Sequence, residues 1–169
     1  MLNSSTAQAV IDHALQQGAD FAELFVEHHL SSQVEFLSGE VDAINSGIDF
    51  GIGIRLFMGE RILYGYTNRS DLDELLNVTS TLAANDRKAV TVASTPLQSS
   101  PRVNIHPAGH GLAKESALDH KIAYLRRMNA AARGESDKIQ QFIGRVLQRE
   151  QSVEIFNSDG LHIADTRHY

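Results

Sequence analysis

The chain lacks cysteine altogether, has only three prolines in 169 residues, and carries fewer basic than acidic side chains, 15 against 21. Without cysteine there can be no disulfide, no thiolate metal site and no cysteine nucleophile, a composition that suits a reducing cytosol. No apolar run approaches the ~18 residues that a membrane-crossing helix needs. The first residues, Met1 to Ser5, have neither the basic start nor the hydrophobic core of a signal peptide. The expectation is a cytoplasmic protein with no membrane partner. The net charge of −6 opposes generic binding to nucleic acid or anionic lipid. Arg87-Lys88 and Arg126-Arg127 are the only adjacent basic pairs, and they read as solvated surface charge. Three glycosylation-type triplets, at Asn3, Asn68 and Asn77, occur without the secretory context that would give them meaning.

What is present is organised around residues 47–66. Ile48, Phe50, Ile52, Ile54 and Leu56 alternate with Asp49, Gly51, Gly53 and Arg55, the period of two that marks a strand burying one face. Met58, Gly59 and Glu60 turn the chain, after which Ile62, Tyr64 and Tyr66 alternate with Leu63 and Gly65. A three-residue loop would pair Leu56 with Ile62, Ile54 with Tyr64 and Ile52 with Tyr66, leaving Gly51, Gly53 and Gly65 on a bare opposite face. Glycines inside strands need a reason. Two readings stay open: the floor of a groove for an extended peptide, or the close approach of a helix or neighbouring strand. Gly51, Gly53, Arg55 and Gly65 are the candidate positions for either. The spacing of Gly51 and Gly53 does not make a phosphate loop, because no third glycine opens a helix after them.

The remaining elements follow in order. Ser4 or Ser5 can cap a helix whose buried positions are Ala7, Val10, Ile11, Ala14 and Leu15, with Gly18 as its stop. Residues 21–30, 33–37 and 40–44 read as three strands, the last two joined at Ser38-Gly39. Ser70 can cap a second helix with Leu72, Leu75, Leu76, Thr79, Leu82 and Ala83 inward, and Asp71, Asp73 and Glu74 then sit at its positive end as capping acids. Residues 87–112 form a long connection holding all three prolines. Ser116 and Asp119 can open a third helix, with Leu118, Ile122, Leu125, Met128 and Ala132 inward and Gly134 as its end. Residues 139–151 and 153–156 return to strand, and Asp159-Gly160 signals a hairpin into Leu161, Ile163 and Ala164. The fold class is α+β, a mainly antiparallel sheet with about three helices packed against it. One domain spans residues 1–169, and the ordered strand at its end points to a continuation beyond Tyr169.

Metal ligands are sparse. His28 and His29 are adjacent in a strand and point to opposite faces, so one ion cannot readily take both. His106 and His110 have the spacing of a zinc helix, but Pro107 and Gly109 oppose the helix.

The order and spacing of four stretches resemble the TldD/PmbA family, proteins named as modulators of DNA gyrase and regarded as metallopeptidases. They are Gly18 to Glu23, Gly47 to Arg55, Gly59 to Asp71, and Asn157 to Gly160. The helix from Leu118 to Arg133, followed by that last hairpin and Asp165 to His168, looks more like the TldD branch. The resemblance covers nearly all of this chain but only the N-terminal third or so of a family member. It implies a peptidase acting on small, poorly folded peptides, built as a complex with a PmbA-like partner subunit or with itself. It also implies zinc held by a His-Glu-x-x-x-His helix and a cysteine in a C-terminal domain. None of the eight histidines here is followed by glutamate, so no catalytic, cofactor or metal residue carries over. The expectation is a non-catalytic N-terminal domain that shapes the substrate cavity and subunit interface and is inactive alone. The alternative is a stand-alone, non-enzymatic binding or regulatory module.

Overall fold

The computed structural model describes residues 2–84, 92–100 and 118–169. The expected Ser116 cap, the His106/His110 pair and most of the 87–112 connection lie outside them. The described residues form three helices and six strands: α1 (Ser4–Gln16), β1 (Phe21–Leu37), β2 (Glu40–Met58), β3 (Arg61–Thr67), α2 (Leu72–Ala83), β4 (Gln98–Ser99), α3 (Leu118–Glu135), β5 (Ile143–Asn157) and β6 (Leu161–His168). The sheet order is β3-β2-β1-β5-β6-β4, antiparallel where β2 meets β3 and parallel where β4 meets β6. The class is α+β, as the patterning predicts.

Three strands are longer than the sequence suggests. The segments expected at 21–30 and 33–37 are one strand, β1, as are 40–44 and 47–57 in β2. Residues 153–156 likewise continue the strand that starts at Ile143 rather than at Ile139. Ser31-Ser32 and Asn45-Ser46-Gly47 look like breaks in composition, yet a strand with a neighbour to bond to continues through polar residues. In β2 the parity of the inward residues also changes, from Val41 to Phe50, Ile52, Ile54 and Leu56. A strand whose buried face shifts by one residue midway mimics two strands in sequence.

Caps fall one residue from the serines expected. Asn3 caps α1, its Oδ1 accepting the Ser5 N–H at 2.9 Å, and Asp71 caps α2 by accepting the Glu74 N–H at 3.1 Å. Both residue types are N-caps as good as serine. Gly18, at φ 97°, ends α1 as expected, whereas Gly134 lies inside α3.

The chain divides into two compact units, residues 1–28, 49–105 and 152–165 in the first, and 29–48, 106–151 and 166–169 in the second. In the first unit Val10, Ile11, Leu15, Leu24, Val26, Ile52, Ile54, Leu56, Leu75 and Phe156 make the core, with α1 packed on α2 and α2 on β3. His13 Nε2 lies 2.7 Å from Ser80 Oγ, joining the two helices. In the second unit a smaller cluster of Val34, Phe36 and Leu125 is flanked by Val41, Ile122, Phe142 and Val146. Of the expected inward residues of α3, Leu125 is buried, while Leu118 and Met128 are exposed. A Cβ on Gly144 would stand 2.7 Å from Leu125 Cδ2, so Leu125 would have to shift to admit one.

The β2–β3 hairpin departs most from expectation. Met58 pairs with Arg61, so the loop is two residues, Gly59 and Glu60, and every pair shifts by one: Leu56 faces Leu63, Ile54 faces Gly65 and Gly53 faces Tyr66. Gly59 has φ 65°, the positive value that a two-residue turn with glycine at its first position needs. The slip moves Ile62, Tyr64 and Tyr66 off the core face, where they are 61%, 64% and 67% exposed. Gly65 goes the other way, and a Cβ on it would stand 3.0 Å from both Val78 Cγ1 and Leu82 Cδ1 of α2.

Candidate functional site

The outer face of the hairpin in the first unit is the most unusual surface. Beneath Tyr66 lies Gly51, whose added Cβ would meet the Tyr66 ring at 3.2 Å, and beneath Tyr64 lies Gly53, whose Cβ would stand 2.6 Å from the phenolic oxygen. Glycine lets each ring come close to the β2 backbone, where a larger residue would push it away. Next along β2, Arg55 Nη2 donates to Glu23 Oε1 at 2.6 Å, and its guanidinium sits 5.6 Å from the Phe57 ring centre. Phe57 meets Phe21 edge to face at 5.5 Å. Arg55 is half exposed, so the ion pair contributes about 0–1 kcal/mol and mainly fixes orientation. The result is an exposed aromatic shelf beside β3, which ends the sheet order. Aromatic faces beside a strand edge with no strand partner among the described residues are features that suit extended peptides without reading much sequence.

The four candidate positions do not share one face. Gly51, Gly53 and Arg55 lie on the exposed side, under or beside aromatic rings, and Gly65 lies on the helix side against Val78 and Leu82. Sequence periodicity finds the tyrosines but assigns them to the wrong face, because the face depends on whether the loop has two residues or three.

Buried ionisable groups cluster on the last hairpin, and the sequence reading does not single them out. In the first unit, Glu154 Oε1 lies 2.8 Å from His162 Nε2, and Glu154 Oε2 accepts the Leu2 N–H at 3.0 Å. The His162 ring stacks on Phe156 with centroids 4.3 Å apart. Ser158 in the turn receives the Ala22 N–H on its Oγ and donates its own N–H to the Ala22 carbonyl, at 3.2 and 2.9 Å. In the second unit His168 Nδ1 lies 3.5 Å from Glu150 Oε2, and Lys121 Nζ donates to Ser32 Oγ at 2.8 Å. Burial lowers the Lys121 pKa from its usual 10.5. The only sequence signal for the Glu154–His162 pair is the Asp159-Gly160 turn, which folds β6 back along β5.

Among the described residues no group of three or more histidine, aspartate or glutamate side chains is placed to hold a metal ion. Each Glu–His pair offers two ligands, whereas a catalytic zinc takes three from the protein. The residues described here therefore do not fit the zinc that the family resemblance implies. His28 and His29 are strand residues of β1. The first-turn acids of α2 serve the helix: the Glu74 N–H, and Arg69 as well, hold the Asp71 carboxyl below its usual 3.8. No described helix is long and apolar enough to cross a membrane.

Comparison with known proteins agrees with the fold. Residues 22–86 match the family model for PmbA/TldA metallopeptidase domain 1, and residues 113–169 match that for the PmbA/TldA metallopeptidase central domain. None of the curated proteins matches the chain. Among solved structures it is similar to a candidate modulator of DNA gyrase from Bacteroides thetaiotaomicron, with a TM-score of 0.77 at 17% identity over 98% of this chain and 39% of that one. It is similar to TldE from Thermococcus kodakarensis, with a TM-score of 0.71 at 14% identity over 96% of this chain and 37% of that one. A candidate modulator of a DNA gyrase from Thermotoga maritima gives a TM-score of 0.69 at 9% identity over 97% and 37%. The chain thus spans under two fifths of the length of each of these structures.

Proposed function

This chain belongs to the PmbA/TldD metallopeptidase family, and on that basis we propose that it is the N-terminal, non-catalytic part of a TldD-like zinc metallopeptidase subunit that cleaves small unstructured peptides in the cytoplasm. The observation that carries the reading is the pair of family matches, domain 1 at residues 22–86 and the central domain at 113–169, in a chain where no histidine is followed by glutamate. The chemistry of zinc, polarising a scissile carbonyl and activating water, would come from a His-Glu-x-x-x-His helix, a motif that these 169 residues do not contain.

The role left to these residues is to receive and align. A peptide laid along the outer edge of β3, which has no strand partner among the described residues, would exchange main-chain hydrogen bonds with residues 62–67 and rest side chains on Tyr64 and Tyr66. Main-chain bonding suits a substrate class defined by being unfolded, because it selects for extended backbone and not for sequence. The partner expected is a PmbA-like subunit or a second copy.

The test compares the 169-residue chain with a longer family protein that carries it as its N-terminal part. With zinc and unfolded peptides supplied, the longer protein should hydrolyse them and the chain alone should not. In the longer protein, Tyr64→Ala with Tyr66→Ala should raise KM for peptides while the zinc content stays the same. Hydrolysis by the isolated chain, or a double variant with unchanged KM, would count against the proposal.

A further inference from the structure

Two glutamate–histidine pairs among the described residues tie β5 to β6, and one of them is left open. Glu154 Oε1 and His162 Nε2 meet at 2.8 Å, a full hydrogen bond. In the second unit Glu150 Oε2 and His168 Nδ1 stand 3.5 Å apart, beyond the ~2.7–3.2 Å of an N–H to oxygen bond. That carboxylate oxygen is buried and accepts no hydrogen bond. The backbone does not hold the two side chains apart. Arg149 and Tyr169 exchange both main-chain bonds, at 2.9 and 2.8 Å, so Glu150 and His168 are the next pair along, the kind in which facing side chains come closest. Nor does the buried ammonium of Lys121 neutralise Glu150. It donates to Ser32, and its pKa is lowered by burial with no carboxylate raising it. A buried carboxylate oxygen in this position is costly unless something positive reaches it.

A separation too long for a hydrogen bond is the right one for two ligands of a single ion. Donor atoms that each lie ~2.1 Å from a tetrahedral divalent metal are about 3.4 Å from one another. Gln148, two residues earlier on the same buried face of β5, brings a buried amide oxygen to the same strip. The His168 side chain is 20% exposed, which leaves a way in from solvent. We propose that Glu150 Oε2, His168 Nδ1 and Gln148 Oε1 bind a divalent transition-metal ion, with water completing its coordination. One imidazole, two oxygens and no thiolate form a donor set for ions such as zinc or cobalt and not for copper(I). The ion supplies the positive charge that the Glu150 oxygen needs, and it clips the end of β6 to β5. The Glu154–His162 pair cannot do the same, because its two groups already bond to each other and the second carboxylate oxygen accepts the Leu2 N–H.

Titration of the 169-residue chain with Co2+, whose visible absorption reports its ligands, and with Zn2+ in a calorimeter tests the site. One equivalent should bind. The melting temperature should rise with metal concentration, because only the folded chain brings these ligands together. Glu150→Gln and His168→Ala should each weaken binding by more than about tenfold, the least that disturbing a ligand or its support costs. His162→Gln, in the closed pair, should bind as the unmodified chain does. Zn2+ should also shift the ring-nitrogen resonances of His168 in the unmodified chain, a readout that does not depend on any variant folding. The proposal is overturned if Co2+ does not bind, if binding survives both substitutions, or if it is lost instead when His106→Ala and His110→Ala are combined.

Discussion

The phenolic oxygen of Tyr64 occupies the space a side chain on Gly53 would need, 2.6 Å from the position of its Cβ. The ring is 64% exposed, so it can swing away. Gly53→Val should consequently destabilise the chain while Tyr64 is present and be tolerated, or stabilising, in a Tyr64→Ala background. A coupling of about 0.5–3 kcal/mol between the two sites is expected for residues in direct contact. Urea unfolding of the four members of the cycle measures it, and additive effects would show that the ring does not rest on the glycine.

At the start of α2 the Asp71 carboxylate accepts the Glu74 N–H at 3.1 Å and an Arg69 hydrogen bond at 3.0 Å. Its folded pKa lies below the usual value. A lowered carboxylate pKa gives stability that is present above the unfolded value and is lost as pH falls through the folded one. Asp71→Asn keeps a capping oxygen but should remove this part of the acid sensitivity, and Asp71→Ala should lose the cap as well. Thermal melts at neutral and acid pH distinguish the two variants, with the gap between wild type and Asp71→Asn closing in acid.

Lys121 is buried in the second unit, where its ammonium donates to the Ser32 hydroxyl. Its pKa is lowered, so between the folded and unfolded values the unfolded chain binds more protons, and stability rises with pH. Lys121→Met retains the apolar stem and removes the buried charge. It should be at least as stable as wild type at neutral pH and lack the alkaline rise, as read from urea midpoints across that range.

Glu154 holds two donors at once, the Leu2 N–H and the His162 ring. Glu154→Ala strands both in a buried place, at a cost of about 1–3 kcal/mol for each unsatisfied group. Glu154→Gln still accepts from Leu2 and should cost less. Hydrogen exchange at the Leu2 amide should quicken in the alanine variant and stay slow in the glutamine one.

Much of this architecture is legible in the residues. The buried side of α1 follows directly from helical spacing, and Ala7, Val10, Ile11, Ala14 and Leu15 are all buried. The Asp159-Gly160 turn is equally plain. What sequence misses is governed by long-range pairing. Ser31-Ser32 continues a strand because a neighbour supplies its ladder, and the outward placement of Ile62, Tyr64 and Tyr66 depends on one residue of loop length. The Glu154–His162–Leu2 tie joins residues up to 152 positions apart, with no local signature.

The bonds between Ser158 and Ala22 close a gap of 136 residues, and β5 is the neighbour of β1 in the sheet. The first unit therefore needs the first 28 residues and also residues 152–165. During synthesis α1 and the start of β1 leave the ribosome with one flank open and must wait for residues 152–165 before that flank is sealed. Closure over such separations slows folding, and until it happens the nascent chain presents its apolar strand surface to whatever chaperone is at hand.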